Sequence, residues 1–246
     1  MLIAMMSDIH SNREAFEACL HDARSRGAER LFFLGDFVGY GADPVWVVDT
    51  AMELVAGGAV AIQGNHDNAV SDFREELNAE AEVAITWTRG QLGPEARQFL
   101  AGLPMRFEED LRLFVHADVQ NGRRWHYIDS PEAADRALES CSAQAVFCGH
   151  LHRPALYGIT ATGRITSFRP VSGVAIPLPR HRRWLAVLGS VGQPRDGSPA
   201  ASYVMLDTGK NDITYHRVPY DVDGAATKIR LAGLPYKLAE RLGKGR

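Results

Sequence analysis

The sequence predicts an α/β fold, a four-layer α/β/β/α sandwich with two facing mixed β-sheets. Over residues 1–70, apolar runs of strand length alternate with helical segments in a βαβαβ succession. Residues 154–217 instead carry short apolar runs separated by turn residues, as an antiparallel sheet requires. The 246 residues contain no low-complexity stretch, internal repeat or linker, so one domain spanning 1–246 is expected. A chain of this length buries about 70–75% of its unfolded surface, enough for a core without covalent staples.

The elements follow in order. Residues 2–7 form an apolar run that fits a buried strand. Ser11-Asn12-Arg13-Glu14 has the form of a capping box, with Ser11 as the cap of a helix that sets Phe16, Cys19, Leu20 and Ala23 on one face. Gly27 suits the end of that helix, and residues 30–34 make a second strand running into Gly35-Asp36. Asp43-Pro44 pairs an N-cap with proline at the first helical position, and the helix continues to about residue 56. A third strand over 59–62 ends in Gly64-Asn65-His66-Asp67. Residues 73–101 have helical periodicity with a break at Gly93-Pro94. Short strands are expected at 105–107 and 111–115, a helix from Ser130-Pro131, and a strand at 145–148 leading into Gly149-His150. Strands at 155–159, 164–168, 184–188, 202–206 and 213–218 complete the second half.

Composition narrows the class. Cys19, Cys141 and Cys148 are odd in number and form no Cys-x-x-Cys pair, which argues for core thiols in a reducing compartment over a disulfide framework or thiolate zinc site. Residues 1–6 are too short for a signal-peptide core and run into Asp8, and no apolar run reaches the length of a membrane span, so a cytoplasmic protein is expected. A net charge of −3 leaves no electrostatic footprint of general nucleic-acid binding. Residues 224–246 are the local exception, a basic C-terminal tail holding Lys228, Arg230, Lys237, Arg241, Lys244 and Arg246 against Glu240; the commonest form of such a run is a solvated helix face. Oligomeric state is not legible.

The side chains at the strand ends carry the chemistry: Asp8, His10, Asp36, Asn65, His66, Asp67, His116, His150 and His152. Asp8 and Asp36 lie 28 positions apart and Asp36 and Asn65 29, each about one βαβ unit, so their loops should meet at the C-terminal edge of neighbouring parallel strands. Open α/β sheets bind ligands at that edge. Asp8, His10, Asp36, Asn65, His116, His150 and His152 form a mixed nitrogen and oxygen set suited to manganese, iron, zinc, nickel or cobalt. Seven ligands exceed the needs of one ion; with one bridging carboxylate they suit two, at the roughly 3.5–4 Å separation of hydrolytic two-metal sites.

These residues resemble the motifs of the calcineurin-like metallophosphoesterases: Asp8-Ile9-His10, Gly35-Asp36, Gly64-Asn65-His66-Asp67, Val115-His116 and Gly149-His150-Leu151-His152, in the family's order. Gly35-Asp36-Phe37-Val38-Gly39-Tyr40-Gly41 and Gly189-Ser190-Val191-Gly192-Gln193-Pro194-Arg195-Asp196-Gly197 resemble the cytoplasmic prokaryotic phosphodiesterase-like branch and extend the likeness over nearly the whole chain. The resemblance implies two divalent or trivalent transition metal ions, manganese foremost. Asp8, His10 and His152 would hold the first, Asn65, His116 and His150 the second, and Asp36 would bridge. It further implies His66 as phosphate binder or proton donor, oriented by Asp67, and hydrolysis of phosphodiesters or monoesters of nucleotides or small organic phosphates by a metal-bridging hydroxide. One departure is Ala117-Asp118, where relatives often carry Gly-Ser or Gly-Gly. That bears on substrate contacts, not on the ligand His116.

Asn12 and Tyr40 are candidate substrate contacts, although Asn12 also suits a helix start and Tyr40 also suits a core cap. Ser190 and Arg195 are candidate pocket-lining residues, although the glycines, proline and aspartate of their loop are also ordinary turn chemistry. The cluster Arg180-His181-Arg182-Arg183 and the isolated His21, His126 and His216 fit solvated or structural roles better than catalytic ones. The reading from another class is a catalytically silent scaffold of the same fold that binds a protein partner; such loss usually shows as missing ligands, and here the set is complete. A nuclease would show a basic groove, and a Ser/Thr protein phosphatase would follow Gly35-Asp36 with Asp-Arg-Gly; neither feature is evident in the sequence. Substrate choice rests with loops such as 39–44, 118–127 and 169–183.

Overall fold

A computed structural model describes residues 1–120 and 124–246; part of the expected pocket loop 118–127 therefore lies outside the described residues. The apolar run at the N-terminus forms β1 (Leu2–Met6), and α1 (Arg13–Ser25) follows with Ala15, Phe16, Cys19, Leu20 and Ala23 buried on one face. Then come β2 (Arg30–Phe33), α2 (Pro44–Ala56) with proline in its first turn, β3 (Val60–Ala61) and the short α3 (Asn65–Ser71). Helices α4 (Ala79–Gln91) and α5 (Pro94–Gly102) precede β4 (Arg106–Glu109) and β5 (Arg112–Val115). After α6 (Pro131–Glu139) the chain is mainly strand: β6 (Ala145–Cys148), β7 (Ala155–Thr160), β8 (Ile165–Phe168), β9 (Ala175–Pro177), β10 (Arg182–Val187), β11 (Ala201–Asp207) and β12 (Asp212–Val218). It ends in α7 (Val222–Leu231) and α8 (Tyr236–Lys244).

Two six-stranded mixed sheets result, in the orders β3-β2-β1-β11-β12-β9 and β4-β5-β6-β10-β7-β8. In the first, β1, β2 and β3 are parallel and β11 returns antiparallel to β1, with Ile3 opposite Leu206 and Met5 opposite Val204. In the second, β5, β6 and β10 are parallel. Side-chain alternation along β1 explains the layering. Ile3 and Met5 join Phe32, Leu34, Phe114, Phe147, Trp184 and Val204 between the sheets, whereas Ala4 and Met6 face Phe16, Val47 and Ile85 in the core beneath the helices of the first sheet. Leu138, Val146, Leu185 and Val187 pack under α6 on the outer face of the second. This is the four-layer arrangement expected from the sequence.

The structure departs from expectation at four places. Ser11 does not cap α1; the cap is Asn12, whose Oδ1 accepts from the Ala15 amide at 3.1 Å, because Ser11 has a left-handed backbone (φ 52°) and its own amide is held by the Phe37 carbonyl. Residues 73–78 are not helical: Asp72 accepts from the Arg74 amide, Asn78 accepts from the Ala81 amide, and these local bonds compete with a helix before position 79. Strand β9 and helix α3 went unrecognised, the first a three-residue edge piece ending in proline, the second too short for periodicity to register. Cys19 and Cys148 are buried free thiols, and among the described residues no helix is long and apolar enough to cross a membrane.

The basic C-terminal residues fold as a helical hairpin against α4. Ala225, Ile229, Leu234, Leu238 and Leu242 make one buried cluster with Tyr40, Ala81 and Ala84. Leu238 is fully buried there. Its replacement by alanine is expected to cost about 2–5 kcal/mol, read as a lower urea midpoint with an unchanged denaturant slope.

Candidate functional site

Five loops meet at the C-terminal ends of β1, β2, β3, β5 and β6, and each brings polar residues to one buried spot. Asp8, His10, Asp36, His116, His150 and His152 are all at most 8% exposed. Asp8, His10, Asp36, Tyr40, His150 and His152 all have φ between 50° and 63°, a region that costs side-chain-bearing residues about 1–3 kcal/mol each and persists only where neighbours enforce it. The enforcement is visible: Asp8 and His10 donate their amides to the carbonyls of Gly35 and Asp36 at 3.0 and 2.9 Å, and Gly192 donates to Asp8 at 2.8 Å. The two sheets touch where the His150 amide reaches both Asp8 carboxylate oxygens, at 3.2 and 3.0 Å. Gly149 beside it has no room for a Cβ, which would strike Ser7 and Asp8.

Hydrogen bonding fixes the imidazole tautomers. His10 Nδ1 lies 2.9 Å from the Val38 carbonyl, His152 Nδ1 2.6 Å from that of Gln193 and His116 Nδ1 2.6 Å from that of Leu34. A carbonyl only accepts, so each Nδ1 carries a proton. Burial holds His10 and His152 below the usual imidazole range, so both are neutral and each Nε2 presents a bare lone pair. Those two Nε2 atoms face each other at 3.1 Å.

The carboxylates complete two groups. Asp8, His10 and His152 form one, and Asp36, His116 and His150 another, with ligand atoms within 4.8 Å of one another; His10, Asp36 and His66 make a third, overlapping set at the same spacing. His152 Nε2 is 3.3 Å from Asp8 Oδ1. Asp36 Oδ2 stands between the groups, 3.6 Å from His10 Nε2 and 3.3 Å from His116 Nε2, and Asn65 Oδ1 is 3.3 Å from His116 Nε2. Burial opposes ionisation of Asp8, yet its carboxyl is held well below the usual range, with the charge of His116 among the causes. Against burial, Asp36 lifts His116 up to about 9, while burial and the His116 charge press His150 down to about 3. Imidazoles interleaved with buried carboxylates at such spacings fit divalent cations, and carbonyl partners orient three of them, His10, His116 and His152.

Of the remaining sequence candidates, His66 and Tyr40 reach the site and two behave differently from expectation. The His66 ring lies 4.8 Å from His10 and 4.5 Å from Tyr40, and its buried Nδ1 has no partner among the described residues. Gly39 makes room for it, since a Cβ there would meet the His66 ring. Asp67 does not orient His66. Its carboxylate instead accepts from the amides of Asp36, Phe37, Gly64 and Val38 at 2.8, 2.9, 3.0 and 3.3 Å, tying the β2 and β3 loops together. Burial and the charge of Asp36 push Asp67 up to about 7 against the pull of those amides, and burial lowers His66 to about 4, so His66 is neutral, not an imidazolium held by Asp67. Asn12 is likewise committed to the fold: Oδ1 caps α1, and Nδ2 donates to the Gly192 carbonyl at 2.8 Å and the Tyr220 hydroxyl at 3.3 Å, leaving no donor for a substrate. Ser190 Oγ donates to the Asp8 carbonyl.

A pocket of about 830 Å³ opens over this cluster, lined by Asp36, Tyr40, His66 and His150, by Arg195 of the Gly-rich loop, and by Trp125 and Tyr127, which were not chosen from sequence. Tyr127 stacks on His150 at 4.4 Å with planes 12° apart while half exposed, and the Arg195 guanidinium lies 5.6 Å over the Tyr40 ring. The aromatic pair flanking His126, in the loop after His116, was the signal available in the sequence.

Residues 1–211 match the model of the calcineurin-like phosphoesterase superfamily domain. An uncharacterised protein of Methanocaldococcus jannaschii is 35% identical over 251 residues, covering 100% of this chain and 98% of that protein. A metallophosphoesterase from Sphaerobacter thermophilus superposes with a TM-score of 0.88 at 33% identity, covering 100% of this chain and 99% of that one. A hypothetical protein from Pyrococcus horikoshii superposes at 0.80 with 18% identity, covering 100% and 98%.

The Asp67 clamp is open to test. Asp67→Asn leaves one acceptor oxygen where two now take four amides, and is expected to cost about 2–3 kcal/mol of stability and to weaken metal binding roughly 10–100-fold. Urea unfolding and a metal titration followed by calorimetry would read the two effects.

Proposed function

The chain belongs to the calcineurin-like phosphoesterase superfamily, and from that premise we propose that it hydrolyses phosphate esters, phosphodiesters foremost, at a centre of two divalent metal ions. The observation that carries this is the arrangement of bare ligand atoms, with the Nε2 atoms of His10 and His152 facing at 3.1 Å and Asp36 Oδ2 set between two groups of ligands. Asp8, His10 and His152 would hold the first ion and Asn65, His116 and His150 the second, with Asp36 available to both. Manganese suits this set, as do iron, zinc, nickel and cobalt. Bound ions supply Lewis acidity toward water and the phosphoryl group.

The protein's own groups do the rest. The Nδ1-to-carbonyl bonds of His10, His116 and His152 keep three ligands aimed before any substrate arrives. Neutral His66, buried beside the ligands with an uncommitted Nδ1, is placed to hold a proton against a phosphoryl or leaving-group oxygen. Tyr40 fixes that ring by packing between it and Arg195. The aromatic residues of the pocket and the guanidinium of Arg195 at its edge favour small organic phosphates and nucleotides.

Chelator-stripped protein supplied with manganese, nickel, cobalt, zinc or magnesium should regain turnover of a chromogenic phosphodiester and of the matching monoester. His66→Ala should retain two ions per chain and lose about 10²–10⁴-fold in kcat. Asp36→Asn should bind fewer than two. Two bound ions with no turnover under any metal would overturn the hydrolase reading and favour the scaffold.

A further inference from the structure

Arg195 lines a second concavity as well as the pocket over the ligand cluster. This groove, of about 540 Å³, is lined also by Arg153, Tyr157, Ser167, Phe168 and Arg169. Arg153 follows the ligand His152 directly, and Arg169 comes from the end of β8, so residues distant in sequence bring three guanidinium groups to one groove. Arg153 and Arg169 are exposed and make no ion pair or hydrogen bond through their side chains among the described residues; Arg195 meets neutral partners, donating to Gln193 Oε1 at 3.3 and 2.9 Å and lying over Tyr40. The carboxylate in the groove, Asp196, is neutralised by Arg217. Uncompensated positive charge lined up beside hydroxyls is the chemistry of phosphate recognition, which arginine performs with paired N–H donors.

Charge also gives the pocket a direction. The wall built by residues 72–76 carries Asp72, Glu75 and Glu76 against Arg74, which pairs with Asp72. An anionic tail leaving the ligand cluster is repelled by that wall and drawn past Arg195. Resting on the hydrolase reading above, we infer that the Arg153–Arg169 groove binds a second phosphate group of the substrate, so that the preferred substrates carry at least two phosphates, one over the ligand cluster and one in the groove. Phe168, 45% exposed beside these arginines, offers a face for an attached base or sugar.

The test compares wild type with Arg153→Ala/Arg169→Ala on three substrates: a chromogenic aryl phosphodiester, a deoxydinucleotide with or without a terminal phosphate, and a dinucleoside diphosphate. The aryl diester should be hydrolysed equally by both proteins. The double variant should lose about 10-fold or more in kcat/KM on a two-phosphate substrate, the worth of a charge-assisted hydrogen bond. A loss confined to the terminally phosphorylated dinucleotide assigns the groove a phosphate spaced by a sugar, and one confined to the dinucleoside diphosphate assigns it an anhydride-linked phosphate; either supports the subsite. Equal losses on all substrates, or none, overturn it. Binding of the two dinucleotides in chelator separates this inference from the hydrolase reading. There the terminal phosphate should tighten binding to wild type but not to the double variant, even if no substrate is turned over, and equal affinities would refute the groove.

Discussion

Two unprotonated imidazole nitrogens, on His10 and His152, face one another at 3.1 Å in the interior, with the carboxylates of Asp8 and Asp36 beside them. Taking such charges out of water costs several kcal/mol per ion even after the protein relaxes. The facing lone pairs of His10 and His152 repel each other, and a chain that merely sought stability would fill the spot with apolar side chains. The surrounding structure is organised to sustain this arrangement. Carbonyls of Val38, Gln193 and Leu34 fix the tautomers, the Asp67 carboxylate gathers four amides of the β2 and β3 loops, and left-handed backbone at six site residues turns the side chains inward.

The sandwich makes that convergence possible. Each sheet alone would present its parallel strand ends as an open edge. The apolar layer between them, with Phe32, Phe114 and Phe147 in mutual ring contact, holds β1 and β2 against β5 and β6 so that the loops of both sheets meet. The contact of the His150 amide with Asp8 spans this junction, and the absent side chain at Gly149 permits the approach. The first coordination group draws Asp8 and His10 from one sheet and His152 from the other, while the second takes Asp36 from the first and His116 and His150 from the other. Both of these groups need the two layers, whereas His10, Asp36 and His66 converge from the first sheet alone.

Much of this was legible in the sequence because strand ends are marked twice, by an apolar run and by the polar residue that stops it. Gly35-Asp36 and Gly149-His150 are such marks, and the separations of Asp8, Asp36 and Asn65, 28 and 29 positions, mark successive parallel strands of the first sheet. Residues whose partners lie far away in sequence were less legible. Asp67 adjoins His66 in the chain, which suggested that one orients the other, yet its oxygens turn to amides some thirty positions earlier. Asn12 was ambiguous between cap and substrate contact, and only its bond to Gly192 across the fold decides for structure. Arg195 sat in a loop that composition describes as a turn; its place over Tyr40 arises from the β10–β11 connection crossing the β1 loop, which no local pattern encodes.

The basic C-terminal segment shows how position outweighs composition. Read as charge, residues 224–246 suggest a surface for anions. In the fold, Lys228 is held by Glu14 and Asp43, Lys237 by Glu80 and Lys244 by Glu240. Its apolar residues meanwhile close over Tyr40. Tyr40 in turn packs on His10 and His66 while its own backbone is left-handed. A strained loop beside a cluster of unscreened ligands has several ways to relax outward. The hairpin blocks them by burying the outer side of Tyr40. The segment therefore bears on the ligand cluster through packing, while the guanidinium groups of Arg153, Arg169 and Arg195 continue the pocket.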